Sequence, residues 1–514
     1  MTSRRILIRA GKHPSTVLSP EASLAFYKAG TFAGNFGNVL YADSVIKAVS
    51  APGVEVVPNS LLTERPDARK PTYAQRVNDE FDALVLPMAN AFKPKFVPQL
   101  RTMTKVIERL SIPVTVVGVG VQWDRLHRDA ASMGPEVNEA IRRFAGAVLE
   151  RSASIGVRGQ MTKDYLLELG FADDQVDVIG CPSLFRDAEP PLVETPAPLD
   201  ADSRIAVSVT PKLSSLYPIL MRHVEWYPHL VYVPQESNEY ALQMYGEPVP
   251  YYRGRPTSTG KLVKDDRAPL HWDHPLYQQD RIRCFVDATT WFDFMRQQDF
   301  AFGTRLHGTV AALAAGVPAV LLTHDSRTVE LAEYHRMPAL PLDLLPPTVD
   351  ASEMAAQGDY AAFNEERGRG FARYVAFLEK NGIDHVFAHE GAAEAWEADL
   401  ATKPFPGPIP TLMAPDSVLR RELAARLTWM RQGSEADAQR TVGAYRVPFD
   451  GAPTPQMVQA AAPPPSPAPV PAPPERGGIV DAVKVDVRRA KRVLARVARS
   501  EPRRLVGSGE GSGR

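Results

Sequence analysis

The stretch FGTRLHGTVAALAAGVP, residues Phe302–Pro318, carries the strongest fold signal in this sequence. Its apolar centre, Val310–Ala315, is typical of a buried helix, and Gly316 and Pro318 are residues that end helices. The residues DFAFGT, which lead into it, have the composition of a strand. A strand that runs directly into a buried helix is one βα unit of a parallel α/β fold.

The start of this helix contains basic residues that a helix N-terminus does not favour. We expect Thr304 to be the N-cap, which places Arg305 and His307 in or beside the first turn. A helix N-terminus already carries partial positive charge and free backbone N–H groups. A cation there therefore predicts a bound anion. Gly303, Thr304 and Arg305 are candidate substrate-binding residues, and His307 is a candidate catalytic residue.

The same alternation of strands and helices runs through two parts of the chain. In the first part, apolar segments at 6–10, 54–58 and 113–122 alternate with amphipathic helical patterns. Nearly continuous apolar strands are what a parallel sheet buried on both faces requires. The pattern restarts at 204–211, after the linker-like segment 185–203. The sequence therefore predicts two Rossmann-like, doubly wound domains, with ligands bound beyond the strands' carboxyl ends, in the cleft between the domains.

Composition divides the chain into five predicted segments. Two α/β domains are followed by a helical extension, a Pro/Ala-rich linker and a basic amphipathic tail. Their predicted bounds are 1–190, 200–390, 391–446, 447–475 and 476–514. Proline-rich segments of this kind act as extended spacers.

The bulk composition is that of a globular chain in a reducing compartment. Of the residues, 44% are hydrophobic and 23% are charged, a composition that is ordinary for a soluble protein. A chain of 514 residues is too long for a single hydrophobic core. No 18-residue apolar run is present, so we expect no transmembrane helix. Cys181 and Cys284 lack metal-type spacing and argue against a disulfide framework. We expect a cytoplasmic location.

The net charge of −1 hides an asymmetry between the body and the tail. From Arg476 onward the chain has 11 Lys and Arg against 4 Asp and Glu, a balance of +7 that leaves −8 for the rest. We therefore expect no nucleic-acid partner for the body. Between Val480 and Val497, apolar residues recur every three or four positions among basic ones. A membrane-surface helix, a self-association seam and a solvated helix all fit this pattern.

Polar residues also gather where two strands of the first domain are predicted to lead into helices. The segment GNFGN at 34–38 makes Asn35, Gly37 and Asn38 candidate substrate-binding residues, because glycine permits close backbone approach and Asn38 can cap the helix. Arg158 ends the short strand of SIGVRG, and its planar guanidinium suits a carboxylate or phosphate.

The second domain has corresponding residues. In THDSRTVEL, Asp325 or Ser326 is expected to cap a helix whose first turn contains Arg327, again a cation at the unfavoured end. Gln235 and Glu236 follow the strand LVYVPQ. We expect Asp325, Gln235 and Glu236 to contact substrate, with Asp325 and Glu236 as candidate bases.

These motifs, in this order, resemble the polysaccharide pyruvyl transferase family. The resemblance rests on GNFGN with ADSVIKAV, FDALVLPMANAF, PVTVVGVGVQ, SIGVRGQMTKDYLLELGF with VDVIGCPSLF, and FGTRLHGTVAALAAGVPAVLLTHDSRTVELAEYH. It spans roughly 31–335, and RLHG with the downstream basic residue is its most specific part. Many members carry an acidic residue near Asn38 and a lysine where this chain has Arg327. The family is similar to GT-B glycosyltransferases, with two Rossmann-like domains facing across a cleft.

The resemblance implies an activity. Such enzymes transfer the enolpyruvyl carbons of phosphoenolpyruvate onto two hydroxyls of a sugar, which makes a pyruvate ketal and releases phosphate. Arg158, His307 and Arg327 fall where the family's donor-site residues lie, so they are the expected catalytic set. The implied partners are phosphoenolpyruvate and a glycan or lipid-linked saccharide acceptor, with no metal or other cofactor. A lipid-linked acceptor would place the enzyme at the inner face of the cell membrane, where the basic tail could make peripheral contact.

Two other functions fit the same scaffold. A nucleotide-sugar-dependent GT-B glycosyltransferase would bind a nucleotide, although no clear acidic ribose ligand is seen in the sequence. A non-catalytic glycan-binding protein would keep the cleft and lose the chemistry, against which the joint retention of Arg158, His307 and Arg327 argues.

Overall fold

The computed structural model describes residues 4–18, 20, 23, 35–59, 61–123, 129–236, 239–240, 242–243, 265, 267–270 and 273–413. The predicted linker and tail, and the predicted helical pattern beyond residue 413, lie outside the described residues.

Strands and helices alternate along the described chain. The strands are β1 (Arg4–Ile8), β2 (Val54–Pro58), β3 (Ala83–Pro87), β4 (Val114–Val117), β5 (Ile155–Val157), β6 (Val176–Val178), β7 (Ile205–Ser208), β8 (Val231–Tyr232), β9 (Phe300–Gly303), β10 (Ala319–Thr323) and β11 (Ala339–Pro341). The α-helices are α1 (Phe36–Val49), α2 (Pro71–Glu80), α3 (Val97–Ile107), α4 (Ala130–Met133), α5 (Pro135–Leu149), α6 (Gln160–Glu168), α7 (Tyr217–Trp226), α8 (Pro275–Gln278), α9 (Ala288–Met295), α10 (Leu306–Ala314), α11 (Ser326–His335), α12 (Ala351–Ala356), α13 (Tyr360–Lys380) and α14 (Ala392–Ala401).

Two parallel sheets organise these elements. The first has the strand order β2-β1-β3-β4 and the second β11-β10-β9-β7-β8, and every pairing within them is parallel. Strands such as β3 and β10 are buried along their whole length, as expected for a parallel sheet covered on both faces. The strand order reverses between β1 and β3 and again between β7 and β9, and such switch points are where doubly wound folds bind ligands. The predicted fold class of two Rossmann-like, doubly wound halves is confirmed.

A short parallel pair, β5-β6, extends the first sheet. It joins that sheet through a single bridge between Val119 and Val157. Because Arg158 follows β5 directly, this bridge brings Arg158 to the carboxyl edge of the first sheet.

The helix starts differ from the predicted ones at two places. Asn35, not Asn38, is the N-cap of α1, and its side-chain oxygen accepts a 2.8 Å hydrogen bond from the Gly37 N–H. Arg305, not Thr304, is the N-cap residue of α10, where no side chain caps the helix. Thr304 lies one residue earlier, and its hydroxyl accepts from the backbone N–H of Thr210 at 2.8 Å. It therefore joins two loops of the second sheet instead of capping the helix.

Other predicted boundaries are confirmed. Asp325 caps α11 by accepting from the Thr328 N–H at 2.9 Å. Helix α10 ends before Gly316, whose φ of +82° is the left-handed conformation that favours glycine.

Cys181 and Cys284 are both free and buried. Among the described residues, no helix combines the length and apolarity needed to cross a bilayer.

Helices α1 and α10 pack closely in the core between the two sheets. A Cβ atom added at Gly37 would lie 2.8 Å from both Cβ and Cγ of His307, and nearer still to its Nδ1. Ordinary contact begins at 3.4 Å, so only glycine permits this approach.

Helix α11 ties the second sheet to the first through buried side chains. Glu330 Oε1 accepts from the Thr162 N–H at 2.7 Å and from the Thr162 hydroxyl at 2.8 Å. His335 Nε2 accepts from the Cys181 N–H at 2.8 Å. The Tyr334 hydroxyl donates to the Val178 carbonyl at 2.9 Å.

Candidate functional site

A cavity of about 770 Å³ lies where the carboxyl ends of both sheets meet. Nine of the predicted site residues line it: Asn35, Asn38, Arg158, Gln235, Glu236, Arg305, His307, Asp325 and Arg327. These residues are distant in sequence and come from both sheets. The structure therefore brings most of the predicted site together, and the role of each residue stays a prediction.

Three predicted substrate-binding residues do not line the cavity, and each has a packing role. Gly37 makes room for the His307 ring, as described above. Gly303 lies so close to strand β7 that an added Cβ would come within 2.7 Å of the Ser208 carbonyl carbon. Thr304 is fully buried and bonded to Thr210. These three residues pack beneath the residues that line the cavity.

His307 is held as a neutral imidazole. Burial, followed by the positive charges of Arg158 and Arg327, lowers the pKa of His307 well below its usual value. Its Nε2 is buried and has no hydrogen-bond partner among the described residues. A bound anion would offset both the burial and the two positive charges, so we expect it to raise the pKa of His307.

Arg158 is a buried guanidinium without a carboxylate partner among the described residues. It is 1% exposed, its Nε donates to the Gly118 carbonyl at 3.1 Å, and its Nη2 has no partner. Its charge lies 4.9 Å from the ring centre of Tyr41, whose hydroxyl donates to the Val117 carbonyl at 2.6 Å. An unpartnered buried charge is costly unless a ligand supplies the opposite charge.

Arg327 and Asp325 form a pair at the mouth of α11. Arg327 Nη2 lies 3.2 Å from Asp325 Oδ2, and Arg327 Nε is buried without a hydrogen-bond partner in the described part of the chain. Burial alone would raise the pKa of Asp325, but Arg327, His324 and the hydrogen bonds from Thr328 outweigh it, and the pKa is lowered. Asp325 is therefore a carboxylate at neutral pH and fixes the position of Arg327.

Arg305, which was expected to bind an anion, is already paired with acidic side chains of the protein. Its Nη2 contacts Glu239 Oε2 at 2.8 Å and Glu236 Oε1 at 3.5 Å, and its Nε donates to the Val209 carbonyl at 2.5 Å. Glu239, 3% exposed, also accepts from the Tyr232 hydroxyl. These groups already provide hydrogen-bond acceptors and negative charge for the guanidinium. Arg305 is therefore better suited to stabilise the loops that line the cavity than to bind an anion.

The loop after β8 is fixed against α1. The backbone N–H of Phe36 donates to the Gln235 carbonyl at 2.9 Å. Glu239 accepts from the backbone N–H groups of Gln235 and Glu236 at 3.1 and 2.7 Å. Gln235 is 3% exposed, and its side-chain nitrogen has no partner among the described residues. Its amide nitrogen is therefore available to donate a hydrogen bond to a ligand oxygen.

Sequence reasoning missed other residues of the cavity, most of which lie in segments that follow strands of the first sheet. The cavity is also lined by Arg9, Tyr41, Glu64, Arg65, Asn90, Lys93, Phe96, Gln122 and His324. Arg9 and His324 directly follow strands β1 and β10, so the rule that ligands bind beyond strand ends could have identified them.

The arrangement suits a small molecule with several negative charges. Arg158 and His307 present unpartnered polar atoms, and Arg327 adds a third basic group from another loop. Amide side chains and the Glu236 carboxylate are among the other groups that line the cavity, and such groups can bind a polyhydroxylated ligand.

Solved structures with similar folds are only distantly related. They include a UDP co-structure of MnaA from S. aureus (11% identity, covering 79% of this chain and 99% of that one, TM-score 0.35). A UDP-GlcNAc 2-epimerase from Neisseria meningitidis bound to UDP-GlcNAc has 10% identity, with 77% and 99% covered and a TM-score of 0.34. The glycotransferase of kitacinnamycin has 12% identity, with 79% and 99% covered and a TM-score of 0.33. Likenesses this weak carry no argument about function. No curated protein matches the sequence.

The family comparison is specific. The model of the polysaccharide pyruvyl transferase family matches residues 35–326, more than half of the chain. This range begins at the N-cap of α1 and reaches the first residue of α11. It includes β5 with Arg158 and the whole of α10 with His307. The chain belongs to the polysaccharide pyruvyl transferase family.

Proposed function

We propose that this protein transfers the pyruvyl group of phosphoenolpyruvate onto a sugar of a bacterial exopolysaccharide or other surface glycan, as a ketal. Family membership supports a glycan-directed transferase. One observation carries the choice of donor: the buried Arg158 and His307 present unpartnered nitrogens in a cavity that Arg327 also lines. Phosphoenolpyruvate combines a phosphate and a carboxylate, so it requires several basic groups at once.

The proposed reaction has a simple atom balance. The enolpyruvyl CH₂ carbon gains one proton and becomes a methyl group, while C2 forms bonds to two sugar oxygens and loses its bond to the phosphate oxygen. The two sugar hydroxyls release two protons, one of which replaces the proton delivered to the CH₂ group. The other leaves with the phosphate. The enzyme must therefore hold a general acid, a base and cations for the phosphate.

His307 is the proposed general acid. It is neutral in the structure because burial, Arg158 and Arg327 lower its pKa. When the dianionic phosphate binds, we expect the pKa of His307 to rise, so that the ring takes up a proton next to the substrate. Arg158 and Arg327 would hold the anionic groups and stabilise the leaving phosphate.

Of the two candidate bases, Glu236 has more free acceptor capacity. Asp325 already accepts from Thr328 and contacts Arg327. Glu236 is partly exposed in the cavity and makes one 3.5 Å contact with Arg305. We propose that Glu236 takes the proton from an attacking sugar hydroxyl.

Thermal shift measurements test the donor. The purified chain is heated with phosphoenolpyruvate, a panel of nucleotide sugars, or inorganic phosphate. A ligand at about 100-fold over its Kd stabilises the native state by about 2.7 kcal/mol. We expect a selective shift with phosphoenolpyruvate that is lost in Arg158→Ala and His307→Ala. Arg101→Ala is the matched control, because Arg101 is an exposed arginine that pairs with Glu136 at 2.8 Å, away from the cavity.

The alternative donor gives the opposite pattern. A shift with a nucleotide sugar alone would overturn the proposal and favour a GT-B glycosyltransferase. If phosphoenolpyruvate shifts the transition, release of phosphate on addition of sugar glycosides identifies the acceptor.

We also propose that the enzyme works at the cytoplasmic face of the cell membrane, on a lipid-linked acceptor. The support is the +7 balance of the chain from Arg476 onward. Truncation before Val447 should reduce binding to anionic phosphatidylglycerol vesicles in a sedimentation assay. Unchanged binding would refute this part of the proposal.

A further inference from the structure

Lys93 lies at the same edge of the first sheet as Arg158. The loop between β3 and α3 carries it, and its neighbour Phe92 forms a parallel bridge with Val121. Two residues before Val121, Val119 forms a bridge with Val157, which precedes Arg158. Both Lys93 and Arg158 line the cavity. The sheet register therefore brings two basic residues into one site from separate loops.

Three of the six lysine and arginine residues that line the cavity are paired with an acid. Arg9 contacts Glu64 at 2.6 Å, and the pairs Arg305–Glu239 and Arg327–Asp325 are described above. Within the part of the chain that the structure describes, neither Lys93 nor Arg158 has a carboxylate within 4.0 Å. Lys93 and Arg158 therefore add positive charge to the cavity that no described carboxylate matches.

The surroundings of Lys93 oppose its charge. Burial, followed by the positive charges of Arg327, Lys95 and Arg158, lowers the pKa of Lys93. A half-buried ammonium in one cavity with two guanidinium groups is an unfavourable arrangement in the absence of an anion, and an anion bound among the three would make it favourable.

We propose that Lys93 is a direct ligand of the anionic donor, between Arg158 of the first sheet and Arg327 of the second. This inference rests on the proposed function and adds a binding residue that neither the motifs nor the family comparison assigned. The charge balance supports it. Fully ionised phosphoenolpyruvate carries three negative charges, and Arg158, Lys93 and a protonated His307 supply three positive ones. Lys93 therefore supplies one of these three charges, from a loop of the first sheet that also lines the cavity.

Calorimetric titration with phosphoenolpyruvate tests the proposal, using the full chain and the variants Lys93→Met, Lys93→Arg and Lys95→Met. Lys95 is the matched control, because it is an exposed lysine two residues further along the chain and does not line the cavity. Loss of one charge-assisted contact should weaken binding by about 10-fold or more in Lys93→Met. Lys93→Arg should keep most of the affinity, and Lys95→Met should stay within about twofold of wild type.

The outcomes separate this inference from the proposed function. If wild type does not bind phosphoenolpyruvate, the proposed function fails and the role of Lys93 fails with it. If wild type binds and Lys93→Met binds equally well, only the role of Lys93 is refuted. Thermal midpoints without ligand give the structural control. A direct ligand predicts a midpoint in Lys93→Met that is unchanged or raised, because the change removes an unfavourably placed charge. A lowered midpoint with unchanged affinity would instead mark Lys93 as structural.

Discussion

Replacing Gly37 by alanine should disable the site without unfolding the protein. The new Cβ would lie 2.8 Å from Cβ and Cγ of His307, whereas ordinary contact begins at 3.4 Å. His307 must therefore move by at least 0.6 Å, and by more at Nδ1. Functional groups need to stay within about 0.5 Å of their productive positions, and a displacement of about 1 Å costs about 100-fold in rate. We expect phosphoenolpyruvate-dependent phosphate release to fall by between about 10-fold and 100-fold.

The stability change should be much smaller than the loss of activity. Overpacking costs about 1–3 kcal/mol, and alanine in a helix recovers up to about 1 kcal/mol relative to glycine. Gly146 provides a matched control, since it lies inside helix α5 and an added Cβ there would have no atom within 4 Å. Gly146→Ala should keep full activity and gain slightly in thermal midpoint. Wild-type turnover in Gly37→Ala would refute the idea that Gly37 positions His307.

Three further predictions concern stability. Burial lowers the pKa of His335 from 6.5 to about 3. Between these two pH values the unfolded chain binds a proton at His335 that the folded chain does not. The free energy of unfolding should therefore fall as the pH drops from about 6.5 towards 3, by up to about 1.4 kcal/mol per pH unit. Urea denaturation at pH 7 and pH 5 should show a shallower decline in His335→Gln, and an equal decline would contradict this assignment. Gly303→Ala should cost at least about 3 kcal/mol, because its Cβ would meet the Ser208 backbone, and soluble protein with a wild-type thermal midpoint would argue against it. Glu239→Ala should cost about 3–5 kcal/mol, because the buried Arg305 loses its 2.8 Å contact with Glu239 and keeps the longer, 3.5 Å contact with Glu236. The double variant Glu239→Leu with Arg305→Met should recover part of the loss in urea denaturation, and a double variant no more stable than Glu239→Ala would refute the pairing.

The sequence predicts the fold well because its signals are local. Buried strands such as β3 and β10 are continuous apolar runs, and Gly316 ends α10 through its own backbone conformation. Two parallel sheets follow from repeating this unit. The same local logic places His307 and Arg327 in the first turns of their helices.

The sequence predicts less about what each site residue does, because that depends on contacts between distant segments. Arg305 resembles an anion ligand until Glu239, 66 positions away, is seen to pair with it. The nearness of Gly37 to His307 follows from how two helices cross, which no local pattern records. Lys93 lies in a loop without a helix-start signal of its own and enters the cavity only through the register of the strands beside it.

The bonds made by α11 have a mechanical consequence. Glu330, Tyr334 and His335 all attach this helix to the first half of the chain, at Thr162, Val178 and Cys181. A hinge motion that separated the two sheets would break the hydrogen bonds at all three positions. Those at Thr162 and Cys181 are fully buried. Catalytic turnover should therefore proceed with the sheets locked together, and substrates and phosphate should come and go through the cavity mouth.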